Sequence, residues 1–197
     1  MAGKKDVKIG VLALQGDFAK HIEILGRLGV QAVEVKLPEQ IEGLDGLIIP
    51  GGESTTVGKL MARFGLDEAI VRRVSEGMAI FGTCMGMIML SKEIEGSKQP
   101  SLGLMDITVR RNAFGRQKDS FETDLDITEI DGEPVKAVFI RAPFVTEVRG
   151  NTKVLSTLED GRIVFVRDGR CLGAAFHPEL TDDTRVHEYF VKMAAEK

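Results

Sequence analysis

A chain of 197 residues is long enough for one domain with a sizeable core, and its 43% hydrophobic and 28% charged residues are those of an ordinary globular protein. A net charge of -4 gives no general attraction to nucleic acid or to an anionic membrane. The cysteines, Cys84 and Cys171, lack CxxC spacing, which argues for a reducing compartment over a disulfide framework or a zinc site; no apolar run after Lys4 and Lys5 reads as a signal peptide or reaches membrane-spanning length, so a cytoplasmic location is expected.

Val7 to Leu14 is β-rich and almost continuously apolar, as a parallel strand buried on both faces should be. It ends in Gln15-Gly16-Asp17. Asp17 is placed to cap a helix with Phe18, Ile22, Leu25 and Leu28 on one face, stopped by Gly29. His21 falls off that stripe and reads as solvent-facing. Gln31 to Lys36 is a second strand, closed by Pro38. Leu44 to Ile49 is a third, running into Pro50-Gly51-Gly52-Glu53-Ser54-Thr55-Thr56. The next helix has Val57, Leu60, Met61 and Phe64 at helical spacing, with Gly65 as its stop. Another, capped by Asp67, carries Ile70, Val71 and Val74 and ends at Gly77.

Met78 to Phe81 is a fourth apolar strand, followed by Gly82-Thr83-Cys84-Met85-Gly86 and a helix from about Met87 to Lys92. A sharp strand-to-helix turn with a nucleophile at its tip is an elbow. The tip is strained, so its flanks must be small, and Gly82 and Gly86 satisfy that. The helix N-terminus behind Cys84 favours a thiolate and offers N–H groups to an oxyanion.

Strand and helix thus alternate four times, which predicts a doubly wound α/β fold with a mainly parallel sheet and helices on both faces. The turns at Gly51-Gly52 and Gly82 to Gly86 open on one edge, where ligands bind in such folds. From Gln99 to about Arg167 the pattern becomes mostly β. Phe121, Thr123, Leu125 and Ile127 alternate with polar residues, and Glu159-Asp160-Gly161 joins two strands of a hairpin. This reads as an antiparallel β extension. Cys171 to Phe176 is again a buried strand, and it runs into His177-Pro178-Glu179. A last helix, capped around Thr181 to Asp183, carries Val186, Tyr189, Phe190 and Met193 on one face, and His187 is assigned to the surface. Residues 1–197 are expected to form a single domain.

A thiol needs a base or a depressed pKa to be a useful nucleophile. His177 follows a buried strand directly and falls on the edge that carries Cys84, and Glu179 can turn back to fix its tautomer. Cys84, His177 and Glu179 form the candidate triad, while Cys171 reads as a small buried hydrophobe. The oxyanion donors would be the Met85 N–H and the backbone of Gly51-Gly52. No metal-ligand cluster competes, and Pro50 to Ser54 lacks the Gly-Lys-Ser/Thr of a phosphate loop.

Together Pro50-Gly51-Gly52, Gly82-Thr83-Cys84-Met85-Gly86 and His177-Pro178-Glu179 resemble the class I, triad-type glutamine amidotransferases, whose fold is flavodoxin-like. Leu14 to Asp17, Pro50 to Thr56, Arg111 to Gln117, Phe139 to Pro143 and Phe176 to Thr181 bring the resemblance closer to the glutaminase subunits of pyridoxal 5'-phosphate synthase. The resemblance implies hydrolysis of L-glutamine to glutamate and ammonia through a Cys84 glutamyl thioester. It places glutamine at Gly52, Glu53, Ser54, Arg111, Ile140 and Arg141, with Gly52 and Met85 as the oxyanion hole. The charges suit the substrate, a cation for its carboxylate and Glu53 for its ammonium, although each arginine alone reads as a surface ion pair. The resemblance also implies a partner, a dodecameric synthase of (β/α)8 barrels binding twelve glutaminases through about Gln15 to Leu28, with the Gln15 loop rearranging the oxyanion hole. No cofactor is expected, since pyridoxal 5'-phosphate is the complex's product.

Met85 departs from the family, many members of which have a small residue there; its side chain could narrow the pocket or face the partner. The rival readings are a glutaminase subunit of another system, such as imidazole glycerol phosphate synthesis, a non-catalytic module of the same fold, and a cysteine hydrolase. The Arg111 to Gln117 and Ile140 to Pro143 blocks argue against the first, and the intact triad argues against the second. The His-Pro-Glu placement argues against the third.

Overall fold

The structure is a computed structural model that describes residues 7–111 and 120–196. Strands β1 (Lys8–Leu12), β2 (Gln31–Val35), β3 (Gly46–Ile49) and β4 (Ala79–Thr83) alternate with helices α1 (Phe18–Arg27), α2 (Ser54–Phe64), α3 (Leu66–Ser75) and α4 (Met85–Leu90). The rest is largely β, with β5 (Ser91–Ile94), β6 (Met105–Arg110), β7 (Ser120–Leu125), β8 (Val135–Ile140), β9 (Phe144–Val148), β10 (Lys153–Thr157), β11 (Ile163–Asp168) and β12 (Cys171–Ala174). Helix α5 (Arg185–Ala195) ends the chain.

The main sheet runs β2-β1-β3-β4-β12-β11-β9-β6-β5, with β10 on β11, while β7 and β8 form a separate ribbon. The first five strands in that order are mutually parallel. Antiparallel pairing begins at β11 and continues through β9 to β6. The sequence of β3 and β4 explains their central place: Gly-Leu-Ile-Ile and Ala-Ile-Phe-Gly-Thr are buried at every residue, and burying each large side chain contributes about 1.5–3 kcal/mol.

Successive strand residues face opposite sides of the sheet. Phe81 packs against Phe190 of α5, with ring centroids 5.5 Å apart and the planes tilted by 39°. Gly82, its neighbour, faces α4, where an added Cβ would lie 2.3 Å from the Gly86 carbonyl carbon. Helices therefore cover both faces, as the strand–helix alternation predicts.

Several local expectations are corrected. Ser91 to Ile94 is a strand pairing with β6, not the tail of a helix. The packed stripe of α2 is Ser54, Val57 and Met61, so Phe64 in its last turn stays 43% exposed. Val71 faces solvent on α3, where Leu66 and Ile70 are the buried pair. His21 and His187 are both fully buried, against the surface positions expected for them. The α1 stripe contains His21 because it lies three residues after Phe18 and four before Leu25. The α5 stripe contains His187 because it lies three before Phe190 and four before Val191.

Candidate active site

The C-terminal ends of β1, β3, β4 and β12, with the end of β8, open into one cleft of about 690 Å³, within the range of small-molecule sites. It is lined by Gln15, Gly52, Glu53, Ser54, Cys84, Met85, Arg111, Ile140, Arg141, His177 and Glu179 among others. Every site residue singled out in the sequence thus borders the same space.

Cys84 sits between β4 and α4 with φ 50° and ψ -107°, a left-handed-side conformation that a side chain rarely adopts. Close packing holds it there. A Cβ on Gly82 would meet the Gly86 backbone, and one on Gly86 would lie 2.1 Å from the Ile49 carbonyl oxygen. The Cys84 backbone N–H donates to the Ala174 carbonyl at 2.7 Å, which ties the elbow to β12. Its thiol reaches toward the Ile140 carbonyl oxygen at 3.8 Å. Met85 opens α4, so its N–H has no acceptor within the helix and remains available to a ligand.

His177 follows β12, and its Nδ1 lies 2.6 Å from Glu179 Oε1, a short charge-assisted hydrogen bond. Burial works to lower the His177 pKa, but hydrogen bonds with Cys84 and Glu179 outweigh it and raise the value from 6.5 to about 10. A protonated imidazole beside a thiol favours its ionised form. The ring rests on Gly51, where an added Cβ would lie 2.6 Å from His177 Cε1 and 3.5 Å from Cys84 Cβ. Cys171 is a different case. Burial, with Asp168 nearby, pushes its thiol up to about 12, which makes it an inert core residue.

The other side of the cleft is held by longer side chains. Arg111 Nη1 donates to Gln99 Oε1 at 2.9 Å and to Ser54 Oγ at 3.4 Å. Gln99 Oε1 also accepts from the Ser54 and Thr55 hydroxyls, so Gln99 organises this corner although nothing in its surroundings marks it in the sequence. Arg141 has φ 43°, is exposed, and has no hydrogen-bond or ion-pair partner among the described residues. Residues 112–117 of the Arg111 to Gln117 block lie outside the described residues.

Glu53 borders the cleft, but its carboxylate caps α2. It accepts from Thr55 N at 3.0 Å, Thr56 N at 2.7 Å and Thr56 Oγ1 at 2.7 Å. Those bonds, the Thr56 hydroxyl foremost, hold its pKa down at about 2. Its own N–H donates to Gln15 Oε1 at 3.0 Å. The loop carrying Gln15 touches the glycine turn directly, since a Cβ on Gly16 would lie 1.8 Å from the Gly51 carbonyl oxygen. Met85 lines the cleft and packs toward Gly52, its Cε 3.4 Å from where a Gly52 Cβ would stand.

Among the described residues no group of three or more His, Cys, Asp and Glu side chains could hold a metal ion. Among them, too, no helix is long and apolar enough to cross a membrane.

Comparison with known proteins follows the same line. The model of the SNO glutamine amidotransferase family matches residues 11–196. The chain is 55% identical over 186 residues to "Pyridoxal 5'-phosphate synthase subunit PdxT" of Carboxydothermus hydrogenoformans, covering 94% of this chain and 97% of that one. It is 50% identical to the protein of the same name from Thermotoga petrophila, covering 95% and 99%. A solved structure described as a glutamine amidotransferase superposes with TM-score 0.90 at 50% identity, covering 94% of this chain and 98% of its own. The structure of PurLQS from Thermotoga maritima superposes with TM-score 0.69 at 15% identity, covering 95% of this chain and 98% of its own, a likeness of fold alone.

Proposed function

The chain belongs to the SNO glutamine amidotransferase family, and from that premise we propose that it is the glutaminase subunit of a pyridoxal 5'-phosphate synthase, a single domain that hydrolyses L-glutamine to L-glutamate and ammonia. Relatives carrying that subunit's name align over nearly the full chain, which supports the assignment. The observation that carries the chemistry is the convergence of a strained Cys84, a His177 bonded to Glu179 at 2.6 Å, and two arginines on one cleft.

In this mechanism Cys84 Sγ attacks the side-chain amide carbon of glutamine, and any thiol proton passes to His177. The oxyanion of the tetrahedral intermediate accepts from the Met85 and Gly52 N–H groups, each worth on the order of 3 kcal/mol of transition-state stabilisation. His177 returns its proton to the amide nitrogen as the C–N bond breaks. Ammonia leaves and a glutamyl thioester remains. His177 then takes a proton from water as it attacks the thioester carbonyl. The C–S bond breaks, glutamate departs and Cys84 is restored. Glu179 keeps His177 in the tautomer with Nδ1–H, so that Nε2 faces the thiol. Arg111 and Arg141 offer cations to the α-carboxylate, and Ser54 and Ile140 border the substrate.

The ammonia acceptor in this reading is a synthase partner, a dodecamer of (β/α)8 barrels carrying twelve glutaminases. Docking is assigned to the Gln15 to Leu28 region. The contact of Gln15 with the Glu53 N–H supports a route from that loop to the oxyanion donors. The chemistry needs no cofactor, and a cytoplasmic location is proposed.

Glutamate release measured with and without the synthase partner tests the proposal. The expected result is weak turnover alone, activation by the partner, and loss of turnover by about 10⁴-fold or more in Cys84→Ala. Undiminished turnover by Cys84→Ala would overturn the mechanism, and activation by a different synthase would move the chain to a sister subfamily.

A further inference from the structure

Behind the triad lies a second row of titratable side chains that the glutaminase mechanism does not use. His21 of α1 and His187 of α5 are fully buried, with His21 Nδ1 2.9 Å from His187 Nε2. The other nitrogen of His21, Nε2, lies 3.4 Å from Glu179 Oε2 and 3.4 Å from Thr83 Oγ1. Glu179 Oε1 is already taken by His177. The side chains thus form one buried row, His187, His21, Glu179, His177 and Cys84, entering the cleft from behind.

Charge and geometry together fix where the protons sit. Burial lowers the His21 pKa well below 6.5, and charge on His187 or His177 lowers it further. Burial alone brings His187 to about 4. Both rings are therefore neutral near pH 7, and each has one N–H to place. If His21 carried its proton on Nδ1, its Nε2 lone pair would face a carboxylate oxygen in a buried site. His187 would then have to carry its N–H on Nδ1, where no partner exists among the described residues. The opposite arrangement satisfies both donors. His187 Nε2–H donates to His21 Nδ1, and His21 Nε2–H has Thr83 Oγ1 as its hydrogen-bond acceptor at 3.4 Å, with Glu179 Oε2 equally near as an ion-pair contact. Of these side chains, the atoms then left without a hydrogen bond among the described residues are two acceptors, His187 Nδ1 and Glu179 Oε2, and no N–H, which is the milder defect.

We propose that His21 is a positioning residue for the triad: its Nε2–H holds the outer oxygen of Glu179 while His187 fixes its tautomer. A buried carboxylate gripped through one oxygen can pivot about that bond. Gripped through both, its plane is set, and with it the plane of the His177 ring. Among the described residues Glu179 Oε2 has no hydrogen-bond partner, and His21 Nε2 lies 3.4 Å from it; a small turn of the His21 ring away from Thr83 Oγ1 would aim its N–H there. Because His21 sits on α1, the contact also joins that helix to the triad carboxylate through a single pair of atoms.

The inference rests on Cys84, His177 and Glu179 acting as a triad, and its test separates it from the choice of substrate. His21→Leu removes the donor, while His21→Gln keeps an N–H at the place of Nε2. Both are assayed with the synthase partner bound, for kcat and KM of glutamine hydrolysis. The rate of Cys84 alkylation by iodoacetamide is measured separately against pH. His21→Leu is expected to lower kcat roughly tenfold with KM within about twofold, the scale of one hydrogen bond to a charged group. Its alkylation profile should also move its acid limb to higher pH, because a His177 imidazolium whose carboxylate partner can pivot stabilises the thiolate less well. His21→Gln should recover most of both. His187→Leu, which frees the His21 tautomer, should shift the profile in the same direction by less, and it serves if His21→Leu does not fold. An unchanged alkylation profile and kcat in His21→Leu would overturn the proposal. So would a loss that merely tracks the unfolded fraction and is equal in His21→Gln. If wild-type protein alkylates with the expected profile but does not turn over glutamine, the glutaminase reading fails and the positioning role stands.

Discussion

On one wall of the cleft, Cys84, His177 and Glu179 follow buried parallel strands and are themselves at most 9% exposed. On the other, Arg111 follows β6, while Ile140 ends β8 of the separate ribbon and Arg141 follows it; all three are partly or fully exposed. The first wall is held by backbone: glycines that admit no Cβ, a strained φ at the nucleophile, and strand pairing of β4 with β3 and β12. The second is held by side-chain hydrogen bonds around Gln99 and by the reach of two guanidinium groups. Chemistry that needs tenths of an ångström sits on the rigid wall, and charge recognition, which tolerates more slack, sits on the adaptable one.

The largest expected effect comes from disturbing the rigid wall without touching a triad side chain. Gly51→Ala would place a methyl 2.6 Å from His177 Cε1, and the ring cannot retreat because Glu179 holds Nδ1 at 2.6 Å. Glutamine turnover should fall about 100-fold, the usual result of moving a catalytic group by about 1 Å. Overpacking should also cost about 1–3 kcal/mol of stability. The same change at Gly58 in α2 meets only the flexible end of Met89, at 3.4 Å. There the helix gains about 0.5–1 kcal/mol from alanine, so Tm should rise and kcat should hold. Equal kinetics in the two variants would show that the glycine wall is not what positions His177.

On the adaptable wall the expectation reverses. Arg141→Ala keeps the positive φ of the backbone, which is 43°, and removes a guanidinium that has no partner among the described residues. It should raise the KM for glutamine roughly 10- to 100-fold with kcat little changed, as loss of a charge-assisted hydrogen bond made equally in ground and transition states does. Arg111→Ala should act in the same sense and also loosen Ser54 through Gln99. A fall in kcat at constant KM would mean that these arginines act on the reaction and not on binding.

The contrast between the walls also explains what could be read from the chain. Apolar runs ending in glycine turns are a local signature, so β1, β3, β4 and the Cys84 elbow stand out at once, and His177-Pro178-Glu179 is marked by the strand before it. Features that depend on contact between distant segments leave no such mark. Gln99 meets Ser54 and Arg111 only in the folded chain. His21 and His187 occupy core positions on their helices, but a stripe counted over apolar side chains alone passes over a histidine, whose burial here is offset in part by the hydrogen bond between the two rings. Ser91 to Ile94 follows a helix without a breaker, and pairing with β6 makes it a strand.

Glu53 lies where the walls meet, and it carries the smallest expected effect. Its charge suits the substrate ammonium, yet in the folded chain its oxygens accept from Thr55 N, Thr56 N and Thr56 Oγ1. If capping α2 is its role, Glu53→Ala costs about 1 kcal/mol, which lowers Tm by roughly 2–4 °C in a chain of this size, and leaves KM within about threefold. The pH dependence gives a second handle. The folded carboxyl titrates near 2, below its ordinary 4.5. Its contribution is therefore complete above about 4.5 and is lost as pH falls through about 2. The Tm gap between wild type and variant should accordingly close in acid and stay constant from about pH 5 upward. Because the residue is exposed, solvent screening keeps the gap at the size of a cap and well short of what the pKa shift alone would suggest. A tenfold or larger rise in KM with an unchanged Tm would instead assign Glu53 to the substrate's ammonium group and move it to the adaptable wall.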